Sequence, residues 1–169
     1  MARHEVTLEE VDETQRAVVE NLAQLYLYDF SEFDQADVGA DGRFTGWLDW
    51  PNLFTGGRHV FLIKVDGHLA GFSVVSEDSE ALRDPEEAVQ WLEEFFVMRR
   101  YRRTGIGRTA AKALFERFDG TWEVGEVGSN TVAQAFWRTV IGEHTGGRFE
   151  EVRFDDERWD GPVQYFVTT

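Results

Sequence analysis

The chain has 169 residues, of which 17 are Lys or Arg and 32 are Asp or Glu, so its formal charge is −15. Only Lys64 and Lys112 are lysines, and there is no cysteine. This balance excludes disulfides, thiolate metal sites and a cysteine nucleophile, and it disfavours nucleic acid and anionic membranes, because long-range repulsion opposes contact with phosphates.

The length predicts one domain, residues 1–169, with room for a core. A hydrophobic share of 42% argues against disorder despite the charge. Met1–Glu10 lacks the apolar run of a secretory signal, and no run of about 18 apolar residues exists. A soluble cytoplasmic protein is therefore expected. The acidity has three readings: a salt-loving host, attraction of a basic substrate, or solubility.

Arg3–Thr7 reads as a short strand. Val11, Val18, Val19, Leu22, Leu25 and Tyr26 recur at helical spacing, predicting a helix over 9–30. Residues 34–57 are rich in Gly and Asp and read as loop, with Trp47, Leu48 and Trp50 as anchors. His59–Val65 and His68–Ser76 are predicted strands around the hairpin turn Asp66-Gly67. Glu77–Glu87 is a polar connection. Ala88–Met98 fits helix or strand, and Phe95-Phe96-Val97 favours a strand through at least Glu93–Met98. Gly105–Phe118 is predicted helical, Thr121–Val127 a strand, and Asn130–Ile141 a helix with Asn130 as N-cap. Gly142–Gly147 reads as loop. Phe149–Phe154 and Val163–Thr168 are the last strands, joined through Asp155–Pro162. The order β-α-ββ-β-α-β-α-ββ predicts an α/β chain with mixed sheet pairing.

The sharpest local feature runs from Arg99 to Arg108, between a strand and a helix. Arg99, Arg100, Arg102, Arg103 and Arg108 concentrate positive charge there, while Gly105 and Gly107 leave the backbone open to a ligand. A helix N-terminus adds N–H groups and a favourable dipole, so the segment reads as an anion site, best matched by a pyrophosphate. Gly105-x-Gly107-x-x-Ala110, with Glu126 further on, also matches a dinucleotide fingerprint. Against that reading, Arg99–Thr104 separate the glycines from the strand, and only one βαβ unit is available.

Val97-x-x-x-Tyr101-Arg102-x-x-Gly105-Ile106-Gly107 resembles the acyl-CoA pyrophosphate loop of the GNAT superfamily of N-acetyltransferases. Asn130-x-x-Ala133-x-x-Phe136-Trp137 resembles the family's helix beside the pantetheine arm. The resemblance implies a GNAT-like, mostly antiparallel central sheet flanked by helices and splayed between the strands at about 93–98 and 121–127. It implies acetyl-CoA as co-substrate, its pyrophosphate held by backbone amides of Arg102, Arg103, Thr104, Gly105, Ile106 and Gly107, with Arg108 adding charge. Phe96, Val97 and Met98 would pair with pantetheine through main-chain atoms, with Asn130 and Trp137 flanking the cofactor arm. The family often carries a Tyr that protonates the departing thiolate where this sequence has Trp137, and an indole N–H is no acid at neutral pH.

Amine acetylation needs a base before attack. Glu94 and Glu93 stand on the strand beside the expected thioester and alternate faces, so one of them points to the cleft. Glu94 is preferred, and Glu126 is the third candidate. A main-chain N–H near Val97 or Met98 would stabilise the oxyanion. Tyr28, Asp29 and Phe33, aromatics beside a carboxylate, fit a cationic amine acceptor. His4, His59, His68 and His144 show no metal-ligand spacing, so no metal is expected. The leading expectation is an acetyl-CoA-dependent N-acetyltransferase working by direct attack in a ternary complex. A non-catalytic acyl-CoA-binding module is the alternative, and a homodimer stays open.

Overall fold

The computed structural model describes residues 4–46 and 50–169, without the side chains of residues 50 and 78. It contains seven strands and three α-helices among those residues. The strands are β1 (Val6–Val11), β2 (Arg58–Val65), β3 (His68–Glu80), β4 (Ala88–Val97), β5 (Gly120–Gly125), β6 (Glu150–Asp156) and β7 (Trp159–Thr168). The helices are α1 (Arg16–Asp34), α2 (Ile106–Phe115) and α3 (Thr131–Thr145). The sheet order is β1-β2-β3-β4-β5-β7-β6, mostly antiparallel, with β4 and β5 parallel. The parallel ladder is short: Gln90 pairs with Trp122 and Trp91 with Glu123.

Two compact units make up the chain: Met1–Val74 with Glu94–Gly107, and Val75–Glu93 with Arg108–Thr169. In the first, Val19, Leu22, Ala23 and Leu27 of α1 are buried with Val60, Leu62, Phe72, Val74 and Phe96. Tyr26 packs its ring 5.8 Å from Phe72 and 5.4 Å from Phe96. In the second, Phe115 of α2 lies 5.0 Å from Trp122 and 4.8 Å from Phe166. Trp122 and Phe166 stack, as cross-strand neighbours on one face of β5 and β7.

The N-terminal boundaries differ from expectation. Val11 fits the helical stripe by spacing, yet it ends β1, opposite Val60. Asp12 then breaks the strand: its side chain accepts from the Thr14 N–H and opens a short 3-10 turn before α1. Arg3, Trp47 and Leu48 lie outside the described residues, and Trp50 begins a 3-10 turn ending at Asn52. The Ala88–Met98 ambiguity resolves as strand, with burial alternating from Leu92 to Phe96 as a half-buried strand requires. α3 runs past Gly142 to Thr145 and stops at Gly146, whose φ of 64° closes the helix onto the Gly142 carbonyl.

Gly71 in β3 is a close-approach glycine. A Cβ there would sit 1.9 Å from the Phe96 carbonyl oxygen and 3.1 Å from the Val97 Cα. Backbone atoms cannot yield as a flexible side chain can, so Gly71→Ala forces β4 away at Phe96–Val97. The expected result is a loss of about 3 kcal/mol, read as a melting temperature lower by about 6–12 °C.

Candidate active site

β4 ends at Val97, and a 3-10 turn, Arg99–Tyr101, leads toward α2. The Tyr101 N–H donates to the Met98 carbonyl at 2.9 Å, and the Thr104 hydroxyl to the Tyr101 carbonyl at 2.7 Å. Arg103 (φ 64°) and Gly105 (φ 87°) both adopt left-handed backbone. Those two reversals bring the chain into the first turn of α2, whose leading N–H groups have no partner within the helix itself. A Cβ on Gly105 would meet no atom within 4 Å. The protein therefore leaves open space at the point where the sequence pattern places a pyrophosphate. The residues present fit such a group: open backbone, helix start and surrounding arginines.

The five arginines are not equally available. Arg99 and Arg102 both bind Asp29 of α1. Arg108 lies 3.4 Å from Glu143. The Arg100 guanidinium lies over the Tyr101 ring at 5.4 Å, and among the described residues Arg100 and Arg103 have no carboxylate partner.

Main-chain groups near Val97 are partly committed. The Met98 N–H donates to the Ala70 carbonyl at 2.8 Å, which removes it as an oxyanion donor. Successive amides of an extended strand point to opposite edges, so the Val97 N–H faces away from Ala70. The Val97 carbonyl accepts from Arg102 Nε at 2.6 Å, leaving it one lone pair.

Glu94 is 8% exposed, and the Tyr26 hydroxyl donates to its carboxylate. Burial, then the Glu94 charge and this bond, hold the Tyr26 phenol well above its ordinary pKa. The Ser73 hydroxyl donates to the Glu94 carbonyl at 2.8 Å. Glu93 points to the other face, where it accepts from Ser76. Tyr26 is thus a partner of the candidate base that spacing does not reveal: it lies 68 positions from Glu94 and sits in the helical stripe of the sequence.

The predicted acceptor residues are distributed differently. Tyr28 is 64% exposed, with Phe44 6.5 Å from its ring. Phe33 packs against Phe30 at 5.6 Å. Asp29 faces Arg99 and Arg102 rather than open solvent.

In the second unit, Asn130 caps α3, its side chain accepting from the Ala133 N–H at 3.0 Å. Trp137 is buried, with its ring 6.1 Å from Phe115. A cavity of about 570 Å³ in this unit, lined by Arg83, Arg148, Phe149 and Tyr165 among others, includes none of the predicted site residues.

Glu126 follows β5 and is only 4% exposed. One carboxyl oxygen accepts from Gln164 Nε2 at 3.1 Å, and the other has no hydrogen-bond partner. Burial pushes its pKa up to about 8; the Gln164 bond opposes this, and the Glu151 charge adds to it. Gln164 also donates to Glu151 at 2.8 Å, and Glu151 is held by Arg138 at 2.7 Å.

This raised pKa carries a sign for stability. A carboxyl whose folded pKa exceeds its unfolded value of 4.5 stabilises the fold fully below pH ~4.5, and that stability is lost as pH rises through ~8. Glu126→Gln cannot ionise yet keeps an acceptor for Gln164. It should therefore melt with the wild type near pH 5 and be more stable near pH 9, by on the order of 3 kcal/mol. Parallel melts of the two proteins isolate Glu126 from Glu123, which burial also raises.

The mixed sheet, with a glycine–arginine turn opening α2, agrees with the comparisons with known proteins. The model of the acetyltransferase (GNAT) family matches residues 19–142, and the chain belongs to that family. Family members use acetyl-CoA as acetyl donor. Among solved structures, a GNAT-family acetyltransferase from Staphylococcus aureus Mu50 superposes with a TM-score of 0.59 at 15% identity, covering 96% of this chain and 99% of that one. The Escherichia coli ribosomal-protein-S18-alanine N-acetyltransferase gives 0.56 at 15% identity, covering 95% and 91%. AAC(6')-Iy, solved with the bisubstrate analog CoA-S-monomethyl-acetylneamine, gives 0.55 at 18% identity, covering 90% and 98%. These likenesses show the fold. No curated protein matches in sequence. Among the described residues, no group of three or more His, Asp or Glu is placed to hold a metal, and no helix is long and apolar enough to cross a membrane.

Proposed function

We propose that the protein transfers an acetyl group from acetyl-CoA to a primary amine of a small molecule or peptide, by direct attack. The observation that carries this reading is the Arg102–Gly107 turn, with left-handed Arg103 and Gly105 and open space where a side chain would stand. Its amides hold the pyrophosphate, and Arg100 and Arg103 supply charge. Acetyl-CoA supplies the activated thioester. Phe96, Val97 and Met98 align pantetheine, and the Val97 N–H faces the developing oxyanion. Glu94 takes one proton of the acceptor ammonium, so the nitrogen lone pair is free to attack; the carbon–sulfur bond then breaks and the second nitrogen proton passes, through water, to the departing CoA thiolate, which leaves as free thiol. The acceptor is cationic, in keeping with a protein charge of −15.

Trp137 favours a second reading, a non-catalytic acyl-CoA-binding module. It lies among Phe115 and Phe136 and offers no hydroxyl to protonate a thiolate. Incubation with acetyl-CoA and a panel of amines, followed by release of free thiol, separates the two. Amine-dependent thiol release supports the transferase. Cofactor binding without turnover across chemically diverse amines supports the module.

A further inference from the structure

Asp29 sits near the C-terminal end of α1, and its carboxyl is 17% exposed. One oxygen accepts from Arg99, with Nε at 2.9 Å and a second guanidinium nitrogen at 2.8 Å. The other accepts from Arg102. Arg102 is fixed at two further points: Nε donates to the Val97 carbonyl at 2.6 Å, and the guanidinium lies over the Phe96 ring at 5.6 Å. Both arginines are more exposed than the aspartate, at 70% and 40%. The least exposed charge is thus the one shared by the other two.

We propose that Asp29 is a positioning residue for the pyrophosphate turn, strapping Arg99 and Arg102 to α1 so that the segment from Val97 to Gly105 keeps its shape before the cofactor arrives. The inference rests on the acetyl-CoA reading above. Three features support it. Both carboxylate oxygens are engaged by arginines, so the Asp29 charge is already neutralised within the protein and offers an acceptor ammonium little attraction. The strap holds both ends of the 3-10 turn that leads into the pyrophosphate turn, since Arg99 opens the one and Arg102 the other, next to Arg103, whose left-handed backbone is uncommon for a non-glycine residue and needs support from its surroundings. And Arg102 links the same carboxylate to the Val97 carbonyl, on the residue whose N–H is the proposed oxyanion donor. Asp29 therefore acts on cofactor affinity through the turn and does not contact the acceptor amine.

The test is calorimetric titration with CoA beside steady-state kinetics with acetyl-CoA and one fixed amine. Asp29→Asn should raise the Kd for CoA and the KM for acetyl-CoA about tenfold, the scale of one lost charge-assisted pair. The amine KM should stay within about twofold, and Asp29→Glu should recover most of the CoA affinity. In a double-mutant cycle, Arg99→Ala should cost less CoA affinity in the Asp29→Asn background than alone. Asp29→Glu and Arg99→Ala carry the test if Asp29→Asn does not fold. A raised amine KM with unchanged CoA affinity would make Asp29 an acceptor ligand and overturn the proposal. Tighter CoA binding by Asp29→Asn would also overturn it, by making the carboxylate a competitor of the phosphates. Equal CoA binding by all variants would show the strap to be idle. Failure of the wild type to bind CoA is a separate outcome, which removes the functional reading itself.

Discussion

Gly105→Val removes CoA binding: the affinity falls by at least about 100-fold, and CoA no longer raises the melting temperature. The cause is the ligand side of the turn. A Cβ at position 105 meets no protein atom within 4 Å, so the fold has room for it, and the space it would fill is the proposed seat of the pyrophosphate. The φ of 87° adds a second effect. A β-branched residue is strained there and pulls the backbone toward negative φ, which disturbs the turn just before α2. The strain should cost about 1–2 kcal/mol of stability, so the variant stays folded and the binding loss is read on a native protein. Gly105→Ala, smaller and unbranched, should lose less affinity than Gly105→Val.

Glu94→Gln lowers kcat about 100-fold or more and leaves the Kd for CoA unchanged. A carboxamide keeps the size and the hydrogen bond from Tyr26 but cannot accept a proton. Tyr26→Phe removes that hydroxyl and keeps the ring beside Phe72 and Phe96, so kcat should fall by a smaller factor, about 3–10-fold. Stopped assays of thiol release check both. If Glu93→Gln lost the activity and Glu94→Gln kept it, the proton acceptor would be on the other face of β4, beside Ser76.

Local signals in the sequence proved legible where the chain's own neighbours decide the structure. Asp66-Gly67 forms the hairpin turn with φ of 49° and 78°, and Asn130 caps α3 as its spacing implies. The turn that opens α2 is legible for the same reason: glycine, arginine and helix start are adjacent. Boundaries set by distant partners were not. Val11 satisfies a helical stripe, but its pairing with Val60 across 49 residues places it in β1. The electrostatics of the site were the least visible. Asp29 meets Arg99 and Arg102, Tyr26 meets Glu94, and Glu126 meets Gln164 only because the sheet and α1 bring together residues 38 to 73 positions apart. Charge counting shows five arginines about the turn but not that three of them, Arg99, Arg102 and Arg108, have carboxylate partners.

The central claim is that the turn from Arg102 to Gly107 binds the phosphates of acetyl-CoA. Thermal melting of the wild-type protein with and without CoA tests it most directly. Saturating CoA should raise the melting temperature in a concentration-dependent way, about 2.7 kcal/mol of added stability at a hundred times Kd. An unchanged melting temperature with both CoA and acetyl-CoA would contradict the account, leaving neither the transferase nor the binding module standing.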